Sequence, residues 1–222
     1  MSLLDRINTI GRFNTTQLRN FIATFEEIAT YFLTEINITN YLFYYKTIYV
    51  NEDGSISKLY PLLSTNSFLI NDTELDIART KSPEEIALKG TDQPDAKRYI
   101  TFSYNVKCIS WFLGVTSYFA AVGCFPFNGI TVESTYNSIL KTHPVYPDYL
   151  SKEFIDLLKK LLIKNPRMRL LIDKIHTHPF CNVDNIFSSK AIPSSKSVHR
   201  SHSLYQQPIS QTFEVKPMIS NL

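Results

Sequence analysis

Glycine is scarce in this chain, with six in 222 residues, and tryptophan occurs once. So few glycines argue against an architecture of many tight turns. Cysteine is sparse too: Cys108, Cys124 and Cys181 are an odd number at spacings that match no zinc pattern. Reduced thiols in an intracellular, cytoplasmic protein are therefore expected, and no bound metal. Charge of neither sign dominates. A net charge of +3, with no basic stripe interleaved with regularly spaced aromatics, argues against a nucleic-acid partner. The opening MSLLDRINTIGRF lacks a basic start followed by an unbroken apolar core, so no signal peptide is expected. What the chain has in quantity is apolar surface: 44% hydrophobic residues, with thirteen tyrosines and fifteen phenylalanines. That is ample for the core of one domain.

Residues 108 to 127, CISWFLGVTSYFAAVGCFPF, run without a formal charge. The length suffices for a membrane span, but Ser110, Gly114, Thr116, Ser117, Gly123 and Pro126 dilute the run and no basic cluster flanks it. A helix buried on all sides in a soluble domain fits better, so a membrane partner is not expected.

Leu3, Leu4, Ile7 and Ile10 predict a short amphipathic helix stopped by Gly11. Asn14 or Thr15 can cap a second helix, along which Leu18, Phe21, Ile22, Phe25, Ile28, Ala29, Phe32, Leu33 and Ile36 keep helical spacing. Residues 39–50 are dense in β-branched and aromatic side chains and end at Asn51-Glu52-Asp53-Gly54, a hairpin turn into SISKLY. Residues 61–82 are expected to be an exposed segment, and Ser82-Pro83-Glu84-Glu85 a helix start. Further helices are predicted from Thr131 to Lys141, from Ser151 across Phe154, Ile155, Leu157, Leu158, Leu161 and Leu162, and from Leu171 to His176. From Asn182 onward nine serines, three prolines and little periodicity predict a disordered tail, 182–222, beyond a domain spanning 1–181. Within the tail, Ser203 follows a basic stretch and is a candidate phosphorylation site.

In this order the pieces resemble the C-terminal lobe of a eukaryotic Ser/Thr protein kinase. Ser82-Pro83-Glu84 is similar to the Ala-Pro-Glu that closes the activation segment. Trp111-Phe112-Leu113-Gly114-Val115 resembles the Trp-Ser-Leu-Gly-Val of the central helix, with Trp111 and Gly114 as its core positions, and Phe125-Pro126-Phe127 resembles its exit. Asn165-Pro166-Arg167-Met168-Arg169 and His178-Pro179-Phe180 resemble the family's ending. The resemblance implies a mainly helical fold of the α+β kinase type with a small β-hairpin unit. It also implies a buried ion pair between Glu84 and Arg169, and a docking face for protein partners around Thr131 to Lys141.

The resemblance carries no catalytic chemistry with it. The family's phosphoryl transfer uses an aspartate on the substrate hydroxyl, an asparagine and a second aspartate on magnesium, and a glycine-rich loop and lysine on ATP. Counted from the second helix, the family's His-Arg-Asp falls on Thr39-Asn40-Tyr41; counted from the hairpin, on Asn40-Tyr41-Leu42. The metal-binding asparagine falls on Lys46 or Thr47, and Asp-Phe-Gly on Tyr60-Pro61-Leu62 or Pro61-Leu62-Leu63. No carboxylate stands between Tyr41 and Tyr49, and the brace aspartate of the central helix is replaced by Ile109. Residues 85–110 are longer than the usual connection, an expected insertion. No Gly-x-Gly-x-x-Gly loop or Val-Ala-Ile-Lys strand occurs, so the expected lobe stands without an N-terminal lobe. The expectation is a catalytically inactive, pseudokinase-like lobe that needs no cofactor and binds other proteins, another kinase chain among them. Its rivals are an unconventional or split kinase using ATP and magnesium, and a truncated kinase copy without function.

Overall fold

The structure is a computed structural model that describes residues 1–36, 41–60, 62–63, 74–88 and 102–182. It is mainly helical. Among the described residues seven α-helices carry it: α1 (Leu3–Thr9), α2 (Thr15–Tyr31), α3 (Glu74–Ala78), α4 (Pro83–Leu88), α5 (Phe102–Val122), α6 (Val132–Lys141) and α7 (Lys152–Leu161). Two small antiparallel ladders accompany them, β2 (Ile48–Val50) with β3 (Ile56–Leu59), and β1 (Tyr41–Leu42) with β4 (Leu62–Leu63). The β-rich stretch 39–50 is interrupted where described, because a 3₁₀ turn at Tyr45–Thr47 separates β1 from β2, and the hairpin at residues 51–54 joins β2 to β3.

α5 is the axis of the fold. From Ile109 to Ala121 every residue is buried, so this stretch of the helix has no solvent face. Among the described residues no helix is long and apolar enough to cross a membrane. α2 packs along one side of α5 through Phe25, whose ring lies 5.9 Å from those of Phe43 and Phe112. α7 packs on the other side, where a side chain on Gly114 would meet Leu161 and Leu162. A second cluster forms around Trp111, whose ring stacks on Phe127 at 5.4 Å between centroids.

Local chemistry fixes the helix ends. Asn14, not Thr15, caps α2: its side chain accepts from the Gln17 amide while Gln17 returns a bond to the Asn14 amide, satisfying two orphan donors. Gln17 and Asn20 also donate to the carbonyls of Glu52 and Asp53, which lashes the hairpin turn to α2. Gly54 sits in that turn at φ 86°, pressed against the α2 backbone at Gln17, so any Cβ there would collide as well as strain the chain. α6 and α7 begin at Thr131 and Ser151, each accepting from an amide three residues on.

Several expectations need correction. Ile10 is exposed and lies beyond the end of α1. Residues 61–82, expected to be exposed, hold α3, and Ala78, Thr80 and Ser82 are buried. The connection expected over 85–110 is helical at both ends, with α4 reaching Leu88 and α5 starting at Phe102, six residues before the uncharged run. Ile155 is only half-buried, and the apolar face of α7 is Phe154, Leu157, Leu158 and Leu161. The last segment is a 3₁₀ helix, Ile172–Thr177. Thr39, Asn40 and Pro61, the tail from residue 183 and its candidate phosphosite Ser203 lie outside the described residues.

His178 closes the C-terminal end of the described fold. The Phe180 amide donates to its Nδ1, which places the ring proton on Nε2 facing Asp156 at 2.9 Å. Burial holds the imidazole below its ordinary pKa of 6.5; the Asp156 hydrogen bond opposes that shift and the nearby Lys160 charge adds to it. An unfolded chain takes up a proton near pH 6.5 that the folded ring resists. Stability is therefore full above about pH 6.5 and falls as the pH drops toward the folded value. Urea melts at pH 7.5 and 5.5 are expected to show this loss, and His178→Gln is expected to flatten it. A slope unchanged in the variant would refute the assignment.

Candidate functional site

The two stretches singled out as the degenerate phosphoryl-transfer positions come together in space. β1 pairs with β4 in the register Tyr41 to Leu63 and Leu42 to Leu62. Just beyond, Thr47 meets Tyr60: its hydroxyl donates to the Tyr60 carbonyl at 2.7 Å and to the Tyr44 carbonyl at 2.8 Å, and the Tyr60 amide donates to the Thr47 carbonyl at 3.3 Å. Tyr44 and Tyr45 are buried below, Tyr45 edge-on to Phe125 at 4.9 Å.

The structure adds a carboxylate that inspection of residues 41–49 misses. Asp76, on α3, accepts from Tyr45 at 3.1 Å, from Lys46 at 2.9 Å and from Arg79 at 2.6 Å. Burial, then the Asp76 charge, pushes the Tyr45 hydroxyl up to about 12, so it stays protonated and donates. Lys46 is thus tied to α3, and Asp76 is the hub that fixes α3 against the 45–47 turn. The one signal in the sequence was the Asp76–Arg79 spacing, an i,i+3 pair on a helix. Nothing in it announced the partners thirty residues earlier.

The positions that match the family's magnesium ligands carry no carboxylate. Magnesium takes oxygen ligands in octahedral array, anchored by carboxylates. The matching positions offer Tyr41 or Leu42, Lys46 or Thr47, and Tyr60 or Pro61, and the Thr47 hydroxyl is spent on backbone carbonyls. Among the described residues no group of three or more His, Cys, Asp or Glu is arranged to hold a metal.

The second feature is the ion pair. Arg169, its side chain fully enclosed, meets Glu84 through two parallel hydrogen bonds of 2.5 and 2.8 Å. Its remaining donors reach the carbonyls of Lys107 at 2.7 Å, Ile163 at 2.9 Å and Lys164 at 3.3 Å. The guanidinium lies 5.0 Å from the Trp111 ring. Cys108 points at the same carboxylate, its thiol 3.5 Å from Glu84, and burial raises its pKa, with the charges of Glu85 and Glu84 adding to that. Glu84 thus joins α4 to α5 and to the segment after α7. On α5, Trp111 stands beside this pair with its indole N–H buried and without an acceptor among the described residues, while Gly114 faces Leu161 and Leu162. Ile109 is buried and apolar, and sends no polar group toward the 41–47 segment.

These features define a mainly helical unit with a two-strand hairpin, a buried Arg–Glu tie and a turn at Tyr45–Thr47 held by Asp76. No family model matches the chain. Individual proteins do: the serine/threonine-protein kinase ppk16 of Schizosaccharomyces pombe is 38% identical over 99 residues, 42% of this chain and 15% of that protein. The serine/threonine-protein kinase PLK4 of Xenopus laevis is 32% identical over 158 residues, 70% of this chain and 16% of that protein. An Aurora kinase of Eremothecium gossypii is 29% identical over 123 residues, 55% of this chain and 34% of that protein. The chain is thus similar to serine/threonine protein kinases, and the matches span about a third or less of the length of each of these relatives.

Proposed function

We propose that residues 1–181 form a kinase-like C-terminal lobe, with 182–222 as its tail, that does not transfer phosphate and acts inside the cell by binding other proteins, another kinase chain among the candidates. One observation carries the inactive reading: the Thr47 hydroxyl bonds to the Tyr60 carbonyl at 2.7 Å, each of the two being one of the alternatives (Lys46 or Thr47, Tyr60 or Pro61) for the family's magnesium ligands. An uncharged hydroxyl and a tyrosine cannot replace a carboxylate and an amide oxygen on a hard dication. The protein-binding reading is supported by the outer side of α6, where Leu140 is exposed and Ile130, just before the helix, is 93% exposed.

Thermal unfolding with and without magnesium–ATP tests the proposal. A ligand at a hundred times its Kd would add about 2.7 kcal/mol and raise Tm clearly; no shift is expected, and no phosphate transfer from labelled ATP. Nucleotide-dependent stabilisation, together with turnover abolished by Thr47→Ala or Lys46→Ala, would overturn the reading in favour of an unconventional kinase. Capture of no specific protein by the intact chain would favour a copy without function.

A further inference from the structure

The turn that leads from α5 into α6 carries an asparagine followed by a glycine, Asn128-Gly129. Both lie outside any helix or strand, and Asn128 is exposed. Among the described residues neither the Asn128 side chain nor the Gly129 amide takes part in a hydrogen bond. The turn is held on either side of this pair. Phe127 is buried and stacked on Trp111. A Cβ on Gly129 would strike Ser134 and the backbone of Thr135 in the first turn of α6, so the packing demands glycine there. The same lack of a side chain leaves the Gly129 nitrogen unshielded beside the Asn128 carboxamide.

We propose that Asn128 is a site of spontaneous deamidation in the folded chain. The Gly129 nitrogen attacks Cγ of Asn128. The new C–N bond closes a succinimide, the Cγ–Nδ2 bond breaks, and ammonia leaves with the proton given up by the Gly129 amide. Water then opens the ring and returns a proton to the nitrogen. Attack at Cγ gives aspartate, and attack at the backbone carbonyl gives isoaspartate; water is the only co-reactant. Isoaspartate routes the main chain through the side-chain carbons and lengthens it by a methylene. With Phe127 and Gly129 both anchored, the added length has to be taken up at Ile130 and at Thr131, the cap of α6. Either product also sets a negative charge two positions before the exposed Ile130, on the side proposed above for protein partners. The effect on partners rests on that proposal, whereas the covalent chemistry is independent of it.

The test is to age the full chain at mildly alkaline pH and follow it by peptide mass spectrometry, with isoaspartyl methyltransferase labelling of the isoaspartate. Asn51 and Asn137 are exposed too, but Glu52 and Ser138 follow them, so they serve as internal controls. Asn128 is expected to convert at least about tenfold faster than either, a barrier lower by about 1.4 kcal/mol. Conversion should slow at acid pH, because the attacking amide must give up its proton. Asn128→Gln should hold the product at the control rate. Aged protein is expected to show faster amide hydrogen exchange over residues 130–135 than fresh protein, and aged Asn128→Gln is not. Conversion at Asn128 no faster than at Asn51 would overturn the proposal, as would conversion that appears only when the chain is unfolded in urea. Unchanged exchange in the converted protein would overturn the consequence for α6.

Discussion

Arg169→Ala is expected to cost about 3 to 5 kcal/mol of folding stability, because it strands the Glu84 carboxylate without its counter-charge. The side chain of Glu84 is only 9% exposed, so water cannot replace the lost donors. Three backbone carbonyls, those of Lys107, Ile163 and Lys164, lose their donor at the same time. For a domain of this size each kcal/mol lowers Tm by about 2 to 4 °C. The stability comes from the whole constellation, which a second variant exposes. Arg169→Met combined with Glu84→Leu should recover part of the loss, since a buried pair replaced by apolar groups avoids the desolvation penalty of the lone carboxylate. Arg169→Lys should fall between, as an ammonium keeps the charge and loses the paired geometry. Denaturant melts of the four proteins check this order, and an alanine variant melting with the parent would show that the pair contributes nothing.

Gly114→Val is expected to be the next most damaging change. An ideal Cβ at this position already comes within 2.9 Å of Leu161 and Leu162, so α5 and α7 meet there almost backbone to side chain. Overpacking of this kind costs about 1 to 3 kcal/mol. Valine adds two methyl groups and a stiff χ1 to the clash. Gly114→Ala should be milder: its single methyl meets the same leucines, and about 1 kcal/mol of helix propensity is returned. Leu162→Ala opens space against Gly114, so the double variant Gly114→Ala with Leu162→Ala should be more stable than the sum of the two losses predicts. Additive losses in urea melts would mean that α7 moves aside freely and that the close approach is not a constraint.

The helices that periodicity could reveal were legible. α2 and α7 carry apolar residues at helical spacing and begin at Asn14 and Ser151, and those local signals suffice because capping and amphipathicity act within a few residues. α3 was not legible. It is five residues long, with Glu74 and Asp76 in its first turn and a single buried residue, Ala78, so no apolar stripe marks it. Its place is set by contacts with Tyr45 and Lys46, whose energy resides in partners far away in sequence. The start of α5 at Phe102 was missed for a related reason: the uncharged run begins only at Cys108, and Lys107 before it spends its ammonium on the Arg169 carbonyl at 2.6 Å.

By itself the sequence determined where α2, α6 and α7 lie, that the run from Cys108 calls for burial on every side, and that no carboxylate follows Tyr41 before Tyr49. These are properties of composition and local spacing. The tertiary structure decided that Thr47 faces Tyr60, that Asp76 closes onto Lys46, and that Arg169 is satisfied by three carbonyls besides Glu84. Each of these depends on backbone groups and carboxylates that packing brings together, across as many as eighty-five positions. A carbonyl has no letter in the sequence to announce it, and it becomes a partner only when the chain has packed around α5.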